Sequence, residues 1–184
     1  MRSTCCAVSR LAARPARRQR SSTARASRAR KKGALHRPTG YDAGKKIKGK
    51  KRHVLVDTQG LLMQAIIHAA DIQDRDGGVL LMSALFGLYP FLIKLYADSG
   101  YQGPRFQAGL RTVCGQVNLE IVKRSDLHKF VVLPKRWIVE RTIGWLNRCR
   151  RLAKDWECLN RNGLAFLRWA SIRLMLRRLC QTAL

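Results

Sequence analysis

The chain has 184 residues, of which 37 are Lys or Arg and 11 are Asp or Glu, and its formal net charge is +26. A chain of this length has room for one globular core, and a charge of this size favours a polyanionic partner such as nucleic acid. No apolar run reaches the roughly 18 to 20 residues of a membrane helix, and no signal-peptide pattern is present, so the composition argues against membrane association.

The positive charge is spread over the whole chain. Residues 1–41 contain twelve Lys or Arg and no acidic residue, while the rest carries 25 basic and 11 acidic residues. The later region alone is therefore still at +14 (25 minus 11). The cysteines form no CxxC pair and the histidines complete no zinc-site spacing, which predicts reduced thiols in a cytoplasmic protein. The six cysteines are Cys5, Cys6, Cys114, Cys149, Cys158 and Cys180.

Residues 1–38 are rich in Arg, Ser and Ala and have no regular apolar period. Such a segment buries too little apolar surface to offset the entropy of ordering it, so we predict that it is disordered. An Arg-rich, acid-free N-terminus also fits a mitochondrial transit peptide, an alternative that the rest of the chain disfavours.

The first regular element predicted after this segment is a β-hairpin. Residues 53–56 and 61–68 are apolar runs separated by Asp-Thr-Gln-Gly, and Gly60 can supply a positive φ in the turn. A helix should follow, with Asp71 as its cap and Asp74 echoing a capping box.

The apolar run 91–97 predicts a buried strand that ends at Asp98. We then expect a helix over 104–112, a strand over 117–122 and a loop over 124–134.

Two helices are predicted in the C-terminal part. Residues 137–152 should form one helix, and four of its polar or small positions lie three or four residues apart and so share one face. They are Glu140, Gly144, Asn147 and Arg151. A last helix carries an apolar stripe that we expect to dock onto the core, rather than to bind a partner. The stripe is Ala165, Trp169, Ile172, Leu176 and Leu179.

Four sequence blocks occur in this chain in a recognisable order. They are Gly-Tyr-Asp-Ala-Gly-Lys-Lys-Ile-Lys-Gly-Lys-Lys-Arg-His (40–53), His-Ala-Ala-Asp-Ile-Gln-Asp-Arg-Asp-Gly (68–77), Ala-Asp-Ser-Gly-Tyr-Gln-Gly (97–103) and Arg-Trp-Ile-Val-Glu-Arg-Thr-Ile-Gly-Trp-Leu-Asn-Arg-Cys-Arg-Arg-Leu (136–152). Their content and order resemble the DDE transposases of prokaryotic insertion sequences. The resemblance implies an RNase H-like α/β fold, with which the predicted order of strands and helices agrees.

The resemblance also implies a catalytic site. Members of the family hold two divalent ions, Mg²⁺ or Mn²⁺, with three carboxylates, and the ions activate the attacking oxygen and stabilise the leaving one. By motif, Asp98 would be the second carboxylate and Glu140, four residues after Arg136, the third. From the local sequence alone, Asp98 could equally be a strand-end turn residue and Glu140 a surface acid that favours the helix dipole.

Basic residues that flank these blocks are candidates for phosphate contacts that position DNA without reading its sequence. The alternative for each is an ordinary solvated charge. The candidates are Lys45, Lys46, Lys48, Lys50, Lys51, Arg52, Arg136, Arg148 and Arg151.

The first carboxylate of the family has no counterpart here, because no acidic residue precedes Asp42. The nearby substitutes, Asp42 and Asp57, belong to the Lys-rich block and to the hairpin turn. Residues 21–29 can be reverse-translated so that another frame reads Ile-Asp-Ser-Gln-Ser-Val-Lys, the opening strand that the family implies, with the Asp codon straddling Ser22 and Thr23. We therefore interpret residues 1–38 as an out-of-frame segment, and finding no such frame in the coding DNA would refute this.

These observations predict a basic N-terminal segment, 1–39, and a DDE catalytic domain, 40–184, of RNase H-like α/β fold that lacks its first strand and ends in a helical segment. The predicted function is an insertion-sequence transposase, here a truncated and inactive remnant. It should bind DNA in the cytoplasm near the nucleoid, and it can form a homo-oligomer. The alternatives are a non-enzymatic basic nucleic-acid-binding protein and an RNase H-like nuclease with other substrates.

Overall fold

The computed structural model describes residues 4–12, 40–43, 46–85, 87–122, 136–153, 156–157 and 159–182, with the backbone alone for residues 4–12, 47, 136, 153 and 182. The strands are β1 (Thr4–Ala12), β2 (Gly40–Asp42), β3 (Ile47–Val56), β4 (Leu62–Ala69), β5 (Leu92–Asp98) and β6 (Asn118–Val122). The helices are α1 (Asp74–Ser83), α2 (Pro104–Val113), α3 (Arg136–Asn147), α4 (Arg150–Ala153) and α5 (Asn160–Thr182), with a 3₁₀ turn at Ser99–Tyr101.

The strands form one mixed sheet in which β1 is central. β1 pairs antiparallel with β3 and parallel with β5. β4 pairs antiparallel with the other edge of β3, β2 pairs with its first residues, and β6 pairs parallel with β5. The order across the sheet is therefore β4-β3-β1-β5-β6.

The predicted hairpin is confirmed. Gly60 has a φ of 83°, a backbone conformation that glycine adopts without a steric penalty. The Asp57 carboxylate closes the same turn, because its Oδ1 accepts hydrogen bonds from the backbone N–H of Gln59 at 2.9 Å and of Leu61 at 2.7 Å.

Helices cover both faces of the sheet. Successive side chains of a strand point to opposite faces, and Leu55 of β3 packs with α1 and α2 whereas Val54 and Val56 pack with α3, α4 and α5. The two apolar cores that result make the molecule an α/β structure of three layers. Among the described helices, none combines the length and the apolar character needed to cross a membrane.

The first strand corrects the prediction for the N-terminal segment. Thr4–Ala12 forms β1, so the prediction of disorder was wrong for these nine residues, and the sheet does not lack a strand at its centre. The sequence Thr-Cys-Cys-Ala-Val within it is a short apolar run of the kind that can fill a slot between two strands, and the Arg-rich composition around it concealed this. Residues 13–39, including the out-of-frame candidate 21–29, lie outside the described residues.

Two helix boundaries also differ from the predictions. The first helix begins at Asp74 after Gln73, which makes no side-chain cap, so Asp71 does not cap it. The helix predicted over 137–152 is divided into α3 and α4, because the chain tightens at Arg148 and Cys149, whose N–H groups bond to carbonyls three residues back at 3.2 and 3.0 Å. The loop predicted over 124–134 lies outside the described residues.

The last helix packs through a different face from the predicted one. Trp169, Ile172, Leu176 and Leu179 are between 52% and 75% exposed, so the prediction that their stripe docks onto the core was wrong. The buried face runs through Gly163, Leu167 and Ala170. Its small residues let α5 approach the sheet closely, since a Cβ on Gly163 would lie 3.1 Å from Cδ1 of Ile67.

Candidate active site

Asp98 lies at the carboxyl end of β5, as predicted. Its Oδ1 accepts a hydrogen bond of 2.9 Å from the N–H of Gly100, and the fully buried ring of Tyr101 anchors the turn that follows. The carboxylate is thereby held at the edge of the sheet where parallel strands end, which is where α/β sheets commonly bind ligands.

Glu140 is exposed in the first half of α3. That helix packs through Ile138 and Val139 against the sheet face that carries Tyr96. Because Tyr96 and Asp98 are two residues apart in one strand, Asp98 belongs to the same face. Asp98 and the helix that bears Glu140 thus lie on the same face of the sheet.

A second carboxylate next to Asp98 was missed by the sequence analysis. The position that a Cβ of Gly100 would take lies 3.1 Å from Oδ1 of Asp98 and 3.3 Å from Oδ2 of Asp74, so the two carboxylates flank this glycine. Nζ of Lys51 lies 3.2 Å from Asp74 and 3.5 Å from Asp42, and donates to the carbonyl of Ile72 at 2.7 Å. The first three sequence blocks therefore meet in this cluster around Lys51.

The histidines of the first two blocks lie beside this cluster. His53 is fully buried, its Nδ1 is 2.5 Å from the hydroxyl of Tyr101, and its ring stacks on His68 at 4.6 Å. Gly77 permits this arrangement, because a Cβ there would lie 2.5 Å from Nε2 of both histidines. The pair fixes the start of α1 against the hairpin.

His68 makes stability sensitive to pH. Burial lowers its pKa below the usual 6.5, assisted by the positive charge of Lys51 and opposed by the Ala69 carbonyl and by Asp74 and Asp71. A His whose folded pKa is lowered stabilises the fold above about pH 6.5 and loses that contribution as the pH falls below it. We expect the melting temperature of the unsubstituted chain to decrease as the pH is lowered from 7.5 to 5.5. The decrease should be smaller in His68→Gln. An equal fall in both proteins would assign the effect to other groups.

The described residues do not supply a complete two-ion site. Carboxylate oxygens suit Mg²⁺, but no group of three His, Cys, Asp or Glu side chains in the described part of the chain could hold a metal ion. β1, the strand beside Asp98, contains no acidic residue. Of the two substitutes considered from sequence, Asp57 closes the hairpin turn and Asp42 pairs with Lys51.

Three of the predicted DNA contacts are buried and used within the fold. Lys50, Lys51 and Arg52 are 4%, 6% and 4% exposed. Lys50 donates to the carbonyl of Glu157 at 2.5 Å and Arg52 to that of Leu152 at 2.9 Å. Lys50 and Arg52 thus tie β3 to the segment around α4, whereas Lys51 pairs with Asp42 and Asp74. Burial and these partners argue against phosphate contacts by the three cations. Nothing in the local sequence indicates that these charged residues are buried. They are buried because β3 pairs with β1 on one edge and with β4 on the other.

The remaining candidates differ in their surroundings. Lys46, Lys48 and Arg148 are exposed. Arg151 is exposed as well, although its Nε lies 2.6 Å from Glu157. Lys45 and the side chain of Arg136 lie outside the described residues.

Comparison with known proteins identifies the family that this chain resembles. Residues 18–175 match the family model described as a transposase DDE domain. Over 116 residues the chain is 32% identical to a Burkholderia cepacia protein whose name assigns it to insertion sequence element IS402 as a transposase. The alignment covers 59% of this chain and 54% of that relative, so the chain spans about half the length of the relative. The comparison with solved structures found no match.

Proposed function

Because the chain belongs to the DDE transposase family, we propose that it is a DNA-binding protein built on the catalytic domain of an insertion-sequence transposase. The observation that carries the proposal is Asp98 at the end of a strand parallel to the central β1, on the face covered by the helix that bears Glu140. In this proposal Asp98 and Glu140 are the second and third carboxylates of a site that takes Mg²⁺ or Mn²⁺.

The topology supports an RNase H-like fold. A central strand, an antiparallel hairpin, a helix, a parallel strand ending in Asp, a helix, a further parallel strand and a helix bearing Glu follow one another along the chain. We propose that residues 40–184 form this domain together with β1. We further propose that the protein acts on the DNA of the element ends and target, that it resides in the cytoplasm at the nucleoid, and that it can form a homo-oligomer.

A second candidate is a nucleic-acid-binding protein without catalysis. It is favoured by the absence of any acidic residue in β1, where the family resemblance implies the first carboxylate, and by the net charge of +26. The two candidates share DNA binding and differ in whether the chain can use a metal ion.

DNA binding is the step to test first. We expect the chain to bind duplexes of unrelated sequence with similar affinity, because its contacts would be with phosphates. The logarithm of the association constant should fall linearly with log salt, at about 0.9 per phosphate neutralised. Fluorescence anisotropy with two 20-base-pair duplexes of different sequence, between 50 and 200 mM salt, measures this. The absence of binding at 50 mM salt would refute both candidates, and a strong preference for one arbitrary duplex would refute backbone recognition.

A further inference from the structure

The C-terminal helix forms an arginine-lined groove with α3. This groove has a volume of about 210 Å³, and its walls come from Trp145, Arg148 and Cys149 on one side and from residues 170–181 of α5 on the other. Four arginines line it, namely Arg148, Arg173, Arg177 and Arg178, and none of its lining residues is acidic. Its charge is therefore of one sign.

Nothing in the adjoining helix offsets this charge. α5 contains five arginines and no Asp or Glu, and Arg148, Arg173 and Arg177 make no ion pair within the described part of the chain. Like charges held together without counter-charges raise the local potential and attract an anion. The groove is open to such a ligand because Arg148, Arg173 and Arg177 are exposed.

Aromatic stacking holds part of the groove in place. The guanidinium of Arg178 lies 5.0 Å from the centre of the Trp145 ring, and that of Arg141 lies 4.7 Å from the same ring. Arg141 also stacks on Trp137 at 4.5 Å and donates to the carbonyl of Gln59 at 2.8 Å. Stacked guanidinium groups lose less freedom when they bind, and Arg presents a planar fork that matches the oxygens of a phosphate.

We propose that this groove binds the phosphate backbone of DNA beside the catalytic position. The inference rests on the proposed function. The groove adjoins α3, the helix that bears the proposed catalytic Glu140, and this position favours DNA over other polyanions as the ligand. α3 ends at Asn147, seven residues after Glu140, which corresponds to about 10 Å along a helix at 1.5 Å per residue, and Arg148 follows directly. A DNA strand rises about 3.4 Å per nucleotide, so a backbone that ran along α3 would meet the groove about three base pairs from the position served by Glu140.

The test removes two groove charges and compares the result with removal of two charges elsewhere. Arg173→Gln with Arg177→Gln changes exposed residues of the groove. Arg105→Gln with Arg111→Gln removes the same charge from α2, whose side chains pack on the opposite face of the sheet. We expect the groove variant to lower the salt slope of duplex binding by about two and the affinity at 0.1 M salt by about tenfold. The α2 variant should lower the slope by less than half as much.

Two further measurements make the outcome decisive. The double variant Arg173→Lys with Arg177→Lys keeps the charge and should keep the slope, and circular dichroism should show native helix content in all variants. Poly-glutamate of matched charge serves as a competitor. Equal slopes in the groove and α2 variants overturn the groove assignment while leaving DNA binding intact, and equal competition by poly-glutamate overturns the choice of DNA. Failure of the unsubstituted chain to bind duplex refutes the proposed function itself.

Discussion

Replacing Val8 with proline is expected to abolish cooperative unfolding of this protein. Val8 lies in the centre of β1, where its backbone pairs with Leu55 of β3 on one side and with Ala97 of β5 on the other. Proline removes a hydrogen-bond donor and is not tolerated in the middle of a sheet. A cost of about 3 kcal/mol or more is a large part of the roughly 5 to 15 kcal/mol that stabilises a typical domain.

Deletion of residues 1–12 should have a still larger effect. The strands on either side of β1 bury most of the residues that pair with it, and Val54, Leu55, Val56, Leu95 and Ala97 are at most 2% exposed. Without β1 their backbone groups would lose their partners away from water. For the same reason, removal of the whole basic segment 1–38 would unfold the protein as well as lower its charge, so that deletion cannot test electrostatics alone.

The measurement is a thermal or denaturant melt followed by circular dichroism. Val8→Thr is the matched control, because it keeps the backbone N–H and a β-branched side chain, and it should melt within a few degrees of the unsubstituted chain. A cooperative melt of Val8→Pro at an unchanged temperature would show that β1 does not fill the slot between β3 and β5. Another segment, with 21–29 as the first candidate, would then have to occupy it.

The sequence predicted those elements whose signals are local. The turn at Gly60 and the strand ending at Asp98 follow from apolar runs bounded by turn residues, and the structure has both. Glu140 and Gly144 were predicted from their spacing to share one face of a helix, and both lie on the exposed side of α3.

The elements that were missed depend on contacts between distant segments. α5 is apolar on two faces, and only its fit against Ile67 shows that the face with small residues is the buried one. From the sequence, Lys51 resembles a solvated charge. Its partners Asp42 and Asp74 come from β2 and α1, and only the fold places them next to it. The short run at Thr4–Ala12 becomes a central strand because β3 and β5 leave a slot for it.

The last prediction concerns the missing carboxylate, which the register of β1 locates. Val8 pairs with Ala97, so Ser9 is the next position beside Asp98. Ser9 also pairs with Val54, whose side chain belongs to the core covered by α3. Residues opposite each other in paired strands share a face, and neighbouring strands lie about 4.8 Å apart. Position 9 therefore lies beside Asp98 on the face of the helix that bears Glu140.

We expect the unsubstituted chain to show no Mg²⁺-dependent strand transfer, and Ser9→Asp to gain affinity for a divalent ion. Binding to the folded state raises stability by mass action, about 2.7 kcal/mol when the ion is at one hundred times its dissociation constant. The readout is the melting temperature with and without Mn²⁺, which does not require activity.

Ser9→Asn is the matched control, since its side chain has nearly the same size as that of Asp without the charge. The shift should vanish in Ser9→Asp combined with Asp98→Asn, because the ion would lose Asp98, the carboxylate that lies beside position 9. Metal-dependent nicking of a duplex should follow the same order among the variants. Robust metal-dependent joining by the unsubstituted chain would contradict the prediction and would direct attention to Asp74, the carboxylate that flanks Gly100 together with Asp98, or to a carboxylate from a second subunit.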